Sequence, residues 1–339
     1  SDQSQLDSFL DLDVINNVLM PDPTIIRLTP EDNALDVNLD TNIVSYIDNF
    51  VRGKHLSKEN EEVVLNITRR RPFSSTMSLG PYIVENTLVN NELNDTHVST
   101  IKNFYTILNE NHIRSKRRSN KTTSKRMKEI ISFYNKDNIE LGFHSLLTRI
   151  YKQSYVMLLK SIIIQNTKRG LNNKLIELLN FSNDEMNMMM IAEINIAIEY
   201  FKKGNNFTFF SKIHKGNKKI LKDIKNMNWD IFHVRHLEFL MGNFNMSKAK
   251  VVLPVLASMD KKFNELRGLI KLKALITDRN SYNYYPIHNN SEVKSILSKN
   301  QFNDIFSIDN AKKRRSMINS QDIDDLINKL EKFIVELFS

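Results

Sequence analysis

Four acidic residues, Asp40, Glu85, Asp230 and Asp260, stand where a fold could gather them for metal chemistry. Asp40 ends the alternating run "ALDVNL" and is followed by Thr41, Asn42 and an apolar helical pattern, Ile43, Val44, Ile47, Phe50 and Val51. Asp260 ends a second apolar run, "VVLPVLASMD", which also carries Ser258. Glu85 falls in the first turns of a helix beginning "GPYIVENTL", and Asp230 opens a helix, "WDIFHVRHLEFLMGN", that ends near Gly242. Carboxylates brought together repel one another unless a cation neutralises them, so a cluster of these four implies a divalent metal. Oxygen ligands in a chain without cysteine select the hard ions Mg²⁺ or Mn²⁺.

The elements that must position these acids read as an interrupted α/β domain. Residues 1–33 form an acidic N-terminal extension punctuated by Pro21, Pro23 and Pro30. Leu35, Val37 and Leu39 alternate as a strand, and the apolar spacing after Asp40 turns helical. In a doubly wound sheet, functional groups gather at the carboxyl ends of parallel strands, so acids at two such ends can meet. Between residues 95 and 225 the patterns are helical, with Gly170 and Gly204 placed as C-terminal caps. This block reads as an all-α insertion between two halves of one domain, 34–94 and 226–285. Residues 286–339 read as a helical C-terminal extension. Its last helix is capped by Ser320 and carries Ile323, Leu326, Ile327, Leu330, Phe333, Ile334 and Leu337 on one stripe, to pack on the body or on a partner.

The segments "VNLDTNIVSYI", "GPYIVENTL", "WDIFHVRHLEFL" and "VLPVLASMDKKFNEL" resemble, in order, the four acidic motifs of PIN-domain nucleases. Asp40, Thr41 and Asn42 match the first, Glu85 the second, Asp230 the third, and Ser258, Asp260, Lys261 and Phe263 the fourth. The resemblance covers 34–94 and 226–280. It implies a three-layer α/β/α fold with a central, mostly parallel sheet, and metal-dependent phosphodiester hydrolysis, most often of RNA. On that reading Asp40, Glu85, Asp230 and Asp260 hold Mg²⁺ or Mn²⁺. Thr41 or Ser258 hydrogen-bonds metal-bound water or phosphate, and Asn42 orients Asp40. Glu85 and Asp230 are farther apart than in compact members, because of the insertion, and Glu193 in "MMMIAEINIAIEYF" is an alternative to Glu85. A toxin of a toxin–antitoxin pair or an antiphage effector is the biological setting such a domain suggests, with a protein inhibitor or activator as partner. A structure-selective DNA nuclease and a catalytically silent nucleic-acid-binding protein are the alternatives.

Composition fits a polyanion-binding protein. The 339-residue chain carries a net charge of +9 and is 41% hydrophobic, enough for a real core. No run reaches the roughly 20 apolar residues of a membrane span. The absence of cysteine excludes disulfides, thiolate zinc sites and a cysteine nucleophile, and a cytoplasmic, membrane-independent protein without a signal segment is expected. Basic residues concentrate in "RSKRRSNKTTSKRMK", with Arg114, Lys116, Arg117, Arg118, Lys121, Lys125 and Arg126, and in "KIHKGNKKILK", with Lys215, Lys218 and Lys219. Such clusters bind phosphate backbones or form solvated faces. "AKKRRSM" and the tyrosines Tyr282, Tyr284 and Tyr285 are weaker candidates for the same contact. His233 and His236, three apart on one helix, lack a third nitrogen or sulfur ligand and read as ordinary histidines, and Met186 to Met190 read as core packing. Self-association would use the helical insertion or the last helix.

Overall fold

A computed structural model describes residues 33–69, 75–90, 93–110, 143–244, 251–278, 283–317 and 322–339. The described residues divide into two compact units. One, the strand unit, comprises those up to 148 together with 236–259; the other, the helical unit, comprises 149–235 and 260–339.

The strand unit is built on β1 (Asn33–Leu39), the central strand of a three-stranded parallel sheet between β2 (Ser75–Ser78) and β3 (Val251–Ala257). Leu39 lies opposite Ala257, and Asn38 opposite Ser78. Helices α1 (Thr41–Val51), α2 (Lys58–Arg69), α3 (Gly80–Asn90) and α4 (Asp95–Glu110) follow the strands. The alternation in "LDVNLD" explains the placing of β1. Val37 and Leu39 face a core formed with Ile43, Val44, Ile47, Val64, Leu79, Ile83, Ile101 and Phe104. Asp36 and Asn38, on the opposite face, are nonetheless buried, which is unusual because the faces of a covered parallel strand are ordinarily apolar. The Asp48 carboxylate accepts from Arg52 Nε and Asn103 Nδ2, both at 2.8 Å, tying α1 to α4.

The helical unit comprises most of α5 (Phe143–Gln165), α6 (Leu171–Asn180), α7 (Ile191–Lys203), the first part of α8 (Ile220–Phe244), and α9 (Lys261–Leu269). A two-stranded antiparallel pair follows, β4 (Leu272–Asp278) and β5 (Asn283–His288), and then α10 (Ser291–Ile296), α11 (Lys299–Ile305), α12 (Ile308–Met317) and α13 (Ile323–Phe338). Met186 and Met190 are buried in its core with Leu175, Leu178, Ile194 and Ile198, and Ile323, Leu326, Ile327 and Leu330 of α13 pack on that core. Phe333, from the same predicted stripe, is half exposed.

The expected three-layer α/β/α domain with a central, mostly parallel sheet is not what this chain forms. Among the described residues it is mostly helical, with a three-stranded parallel sheet and a separate antiparallel pair. The physical reason lies in the second half: "KALITD" and "NYYPIH" pair with each other rather than widening the parallel sheet. Three local expectations also change. Gly170 is the N-cap of α6, not a C-terminal cap, whereas Gly204 does end α7 with φ +56°. Ser320 lies outside the described residues, and Asp322 caps α13 by accepting from the N–H groups of Asp324 (3.1 Å) and Asp325 (3.0 Å). Asp230 does not open a helix but sits inside the 25-residue α8.

Candidate functional site

The candidate site forms where β1 gives way to α1. Asp40 is 6% exposed, and its Oδ1 accepts the Ile43 N–H at 2.8 Å as the N-cap of α1. Its own N–H donates to the Ala257 carbonyl at 3.1 Å, which holds the turn against the end of β3. Thr41, the first residue of α1, donates its hydroxyl to the carboxylate of Glu85 in the second turn of α3. Burial pushes the Glu85 carboxyl above its ordinary range, the Thr41 hydrogen bond draws it back, and the negative charge of Asp40 pushes it further up. A carboxylate and a hydroxyl at the end of a parallel strand are thus brought together with a second carboxylate 44 positions beyond the hydroxyl. Ser258, half-buried, immediately follows β3 in the same unit.

Sequence reasoning passed over the polar face leading to this turn. The Asn38 amide donates to the carboxylate (2.9 Å) and carbonyl (3.1 Å) of Asp36, and both residues are buried. The period of two that places Asp36, Asn38 and Asp40 on one face was the available signal. Glu238, fully buried in the same unit, gave none; His236, which the sequence offered only through its spacing from His233, is fully buried there as well.

The other predicted residues fall elsewhere. Asn42 is exposed on α1. Asp230 and Asp260, both half-buried, belong to the helical unit, where the Asp260 carbonyl accepts the Phe263 N–H at 3.1 Å. Among the described residues, no group of three or more His, Asp or Glu side chains is arranged to hold a metal ion. Glu193, the alternative to Glu85, is also in the helical unit and is 4% exposed. It accepts from the Ser154 hydroxyl at 2.7 Å and lies 3.5 Å from Arg235 Nε, while Arg235 donates to His288 Nε2 at 3.2 Å. This is a buried ionic network in its own right. The run from Arg114 to Arg126, with Lys116, Arg117, Arg118, Lys121 and Lys125, lies outside the described residues, as does Tyr282. Lys215, Lys218 and Lys219 are exposed at the approach to α8. In "AKKRRSM", Lys313 binds the Asp184 carboxylate at 2.9 Å and Arg314 the Asn183 side chain at 2.5 Å.

His233 is buried beside Trp229 and Phe232, with ring centroids 6.3 and 6.4 Å away, and burial pushes its pKa down to about 4. The unfolded chain, with an ordinary histidine near pH 6.5, therefore takes up the proton first. Stability from this neutral imidazole is fully present above about pH 6.5 and is lost as the pH falls from there to about 4, by about 3 kcal/mol in all. Urea unfolding of wild type and His233→Phe at pH 7 and pH 4.5 should show a smaller acid loss in the variant; equal losses would assign the acid sensitivity to other groups.

Comparison of the chain with protein-family models, with curated proteins and with solved structures gives no match. No helix among the described residues is long and apolar enough to cross a membrane.

Proposed function

We propose that this protein is a divalent-metal-dependent nuclease that hydrolyses phosphodiester bonds, in RNA rather than DNA, at the β1–α1 turn, and that it acts in the cytoplasm. The observation that carries the reading is the Asp40–Thr41–Glu85 arrangement. Asp40 is held in place by capping α1, Glu85 is oriented by the Thr41 hydroxyl, and the two charges raise each other's cost in a poorly hydrated place. That is the environment a hard cation relieves. Mg²⁺ is commonly bound by only one or two carboxylates, keeping waters and substrate phosphate oxygens as its other ligands, so Asp40 and Glu85 are a sufficient protein contribution. Thr41 and Ser258 add hydroxyl oxygens. When bound, Mg²⁺ or Mn²⁺ would neutralise charge on the scissile phosphate and make a water molecule more acidic. Asp230 and Asp260, which lie in the helical unit, are not part of this reading, which rests on Asp40, Thr41 and Glu85 alone.

The test is cleavage of end-labelled single-stranded RNA and of 5′-flap DNA of equal length, with Mg²⁺, Mn²⁺ or EDTA. RNA cutting that requires metal and falls by about 100-fold or more in Glu85→Gln is the expected result, a loss typical of removing a group that stabilises transition-state charge. Preference for the flap would assign a DNA nuclease instead, and metal-independent or Glu85-independent cutting would overturn the site. The pH dependence has a defined sign. Protonation removes Glu85 as a ligand, so at limiting metal the wild-type rate should fall as the pH drops through a carboxyl value above the ordinary range. The Gln variant should lack that limb.

A further inference from the structure

The second basic cluster is built as a rigid platform rather than a loose tail. Lys212, Lys215, Lys218, Lys219 and Lys222 fall within eleven residues at the entrance to α8, and all five are exposed. The turn that carries them is tied down from beneath. Phe209, Phe210, Ile213 and Ile220 are buried, and Gly216, at φ +78°, donates its N–H to the Phe338 carbonyl at 3.1 Å. Asn217 organises the rest: its amide donates to the Lys212 carbonyl and to the Asp223 carboxylate, both at 2.9 Å, and its Oδ1 accepts the Lys219 N–H at 2.8 Å. Asp223 is the only acid between Ser211 and Lys225, and this bond engages it. Lys225, by contrast, is paired with Glu331 at 2.9 Å. Among the described residues, none of the five lysines forms an ion pair with a carboxylate.

Five lysines with a single carboxylate, Asp223, among them leave a net positive patch whose charges repel one another, and the fixed backbone keeps their attachment points close. A partner that carries regularly spaced negative charges and asks for no matching shape removes that repulsion. We propose that the turn from Lys212 to Lys222 is a phosphate-backbone grip for nucleic acid, sequence-independent and metal-independent. An anionic membrane would be the other polyanion, but surface attachment of that kind adds exposed apolar anchors to the charges. Here the apolar residues between the lysines are not exposed: Ile213 is 2% and Ile220 6% exposed, and Leu221 is half-buried. The grip lies in the helical unit, carries no acid assigned to the hydrolytic site, and does not depend on the nuclease reading.

The test is fluorescence anisotropy with a labelled 20-nucleotide single-stranded RNA in EDTA, across a sodium chloride series. The full-length chain is compared with a triple variant, Lys215→Gln, Lys218→Gln and Lys219→Gln. A control triple variant, Lys294→Gln, Lys299→Gln and Lys332→Gln, removes the same charge from exposed positions of the same unit. The grip variant is expected to bind at least 10-fold more weakly at 100 mM salt. The slope of log Kd against log salt should fall by about 2, since each single-strand phosphate contact contributes about 0.7. The control should stay within twofold of wild type with its slope unchanged. Equal losses in the two variants would mean that net charge alone is felt, and an unchanged slope in the grip variant would mean that these lysines touch no phosphate. Either result overturns the proposal, as does a grip variant that loses binding to phosphatidylserine vesicles while keeping its RNA affinity.

Discussion

Asparagine in place of Asp40 is expected to reduce metal-dependent RNA cleavage by about 100-fold or more while changing stability by only a few tenths of a kcal/mol. The two effects separate because Asp40 has two tasks. As N-cap it needs only an oxygen to accept the Ile43 N–H, and asparagine caps about as well as aspartate. As a ligand it needs its negative charge, which asparagine lacks. Alanine at the same position removes both, so Asp40→Ala should lose cleavage and in addition about 1 kcal/mol of stability. Cleavage in Mn²⁺ and thermal unfolding of the two variants measure these separately. Wild-type cutting by Asp40→Asn would leave the carboxylate as a cap and nothing more, and the nuclease reading would fall with it.

The same duality explains how much of this site could be seen in the sequence. Asp40 was legible because the alternation Leu35, Val37, Leu39 stops at it and an apolar helical spacing begins at Ile43, so it had to stand at a strand-to-helix turn. Glu85 was legible as an early helical position, since α3 begins at Gly80. Its bond to Thr41 was not, because nothing in a sequence records which of many helical carboxylates faces a hydroxyl 44 positions away. Asp230 was misplaced for a simpler reason. Trp229-Asp230 looked like a capped start, yet Ile220, Ile224, Met227, Ile231 and Val234 are all buried and recur at intervals of three and four, continuing one stripe straight through it.

The fold class was misjudged by the same kind of local reading. Strand-like runs at 34–39 and 251–257 do become parallel neighbours in one sheet, as two acid-tipped strand ends suggested. Two strand ends tipped with acids were read as part of a doubly wound sheet, and the resemblance enlarged that sheet to the centre of a three-layer domain. β2 has only four residues, and β4 and β5 satisfy their backbone groups on each other. A two-stranded pair formed from consecutive segments costs that stretch the least loop-closure entropy, because it closes only a short loop.

Methionine in place of Arg235 is expected to destabilise the protein by about 3–5 kcal/mol, the range found when one partner of a buried ion pair is removed and the other remains. Arg235 is the cation in the network formed with Glu193, Ser154 and His288. Glu193 is 4% exposed, and Ser154, its other partner, offers one hydroxyl and no charge. Oε2 of Glu193 has no hydrogen-bond partner among the described residues, so with Arg235 gone the carboxylate would be left both charged and under-bonded in the interior. The volume of the side chain is largely kept by methionine, which separates the electrostatic loss from a cavity effect. The decisive comparison is the double variant Glu193→Gln, Arg235→Met. Glutamine keeps an acceptor for Ser154 and brings no charge, so the double variant should be more stable than Arg235→Met alone, with a coupling of at least about 1 kcal/mol between the two sites. Urea unfolding of the four proteins of this cycle measures it. Additive losses would mean that Arg235 acts through its other contacts, the bond to His288 among them, and that the 3.5 Å pair with Glu193 contributes nothing of its own.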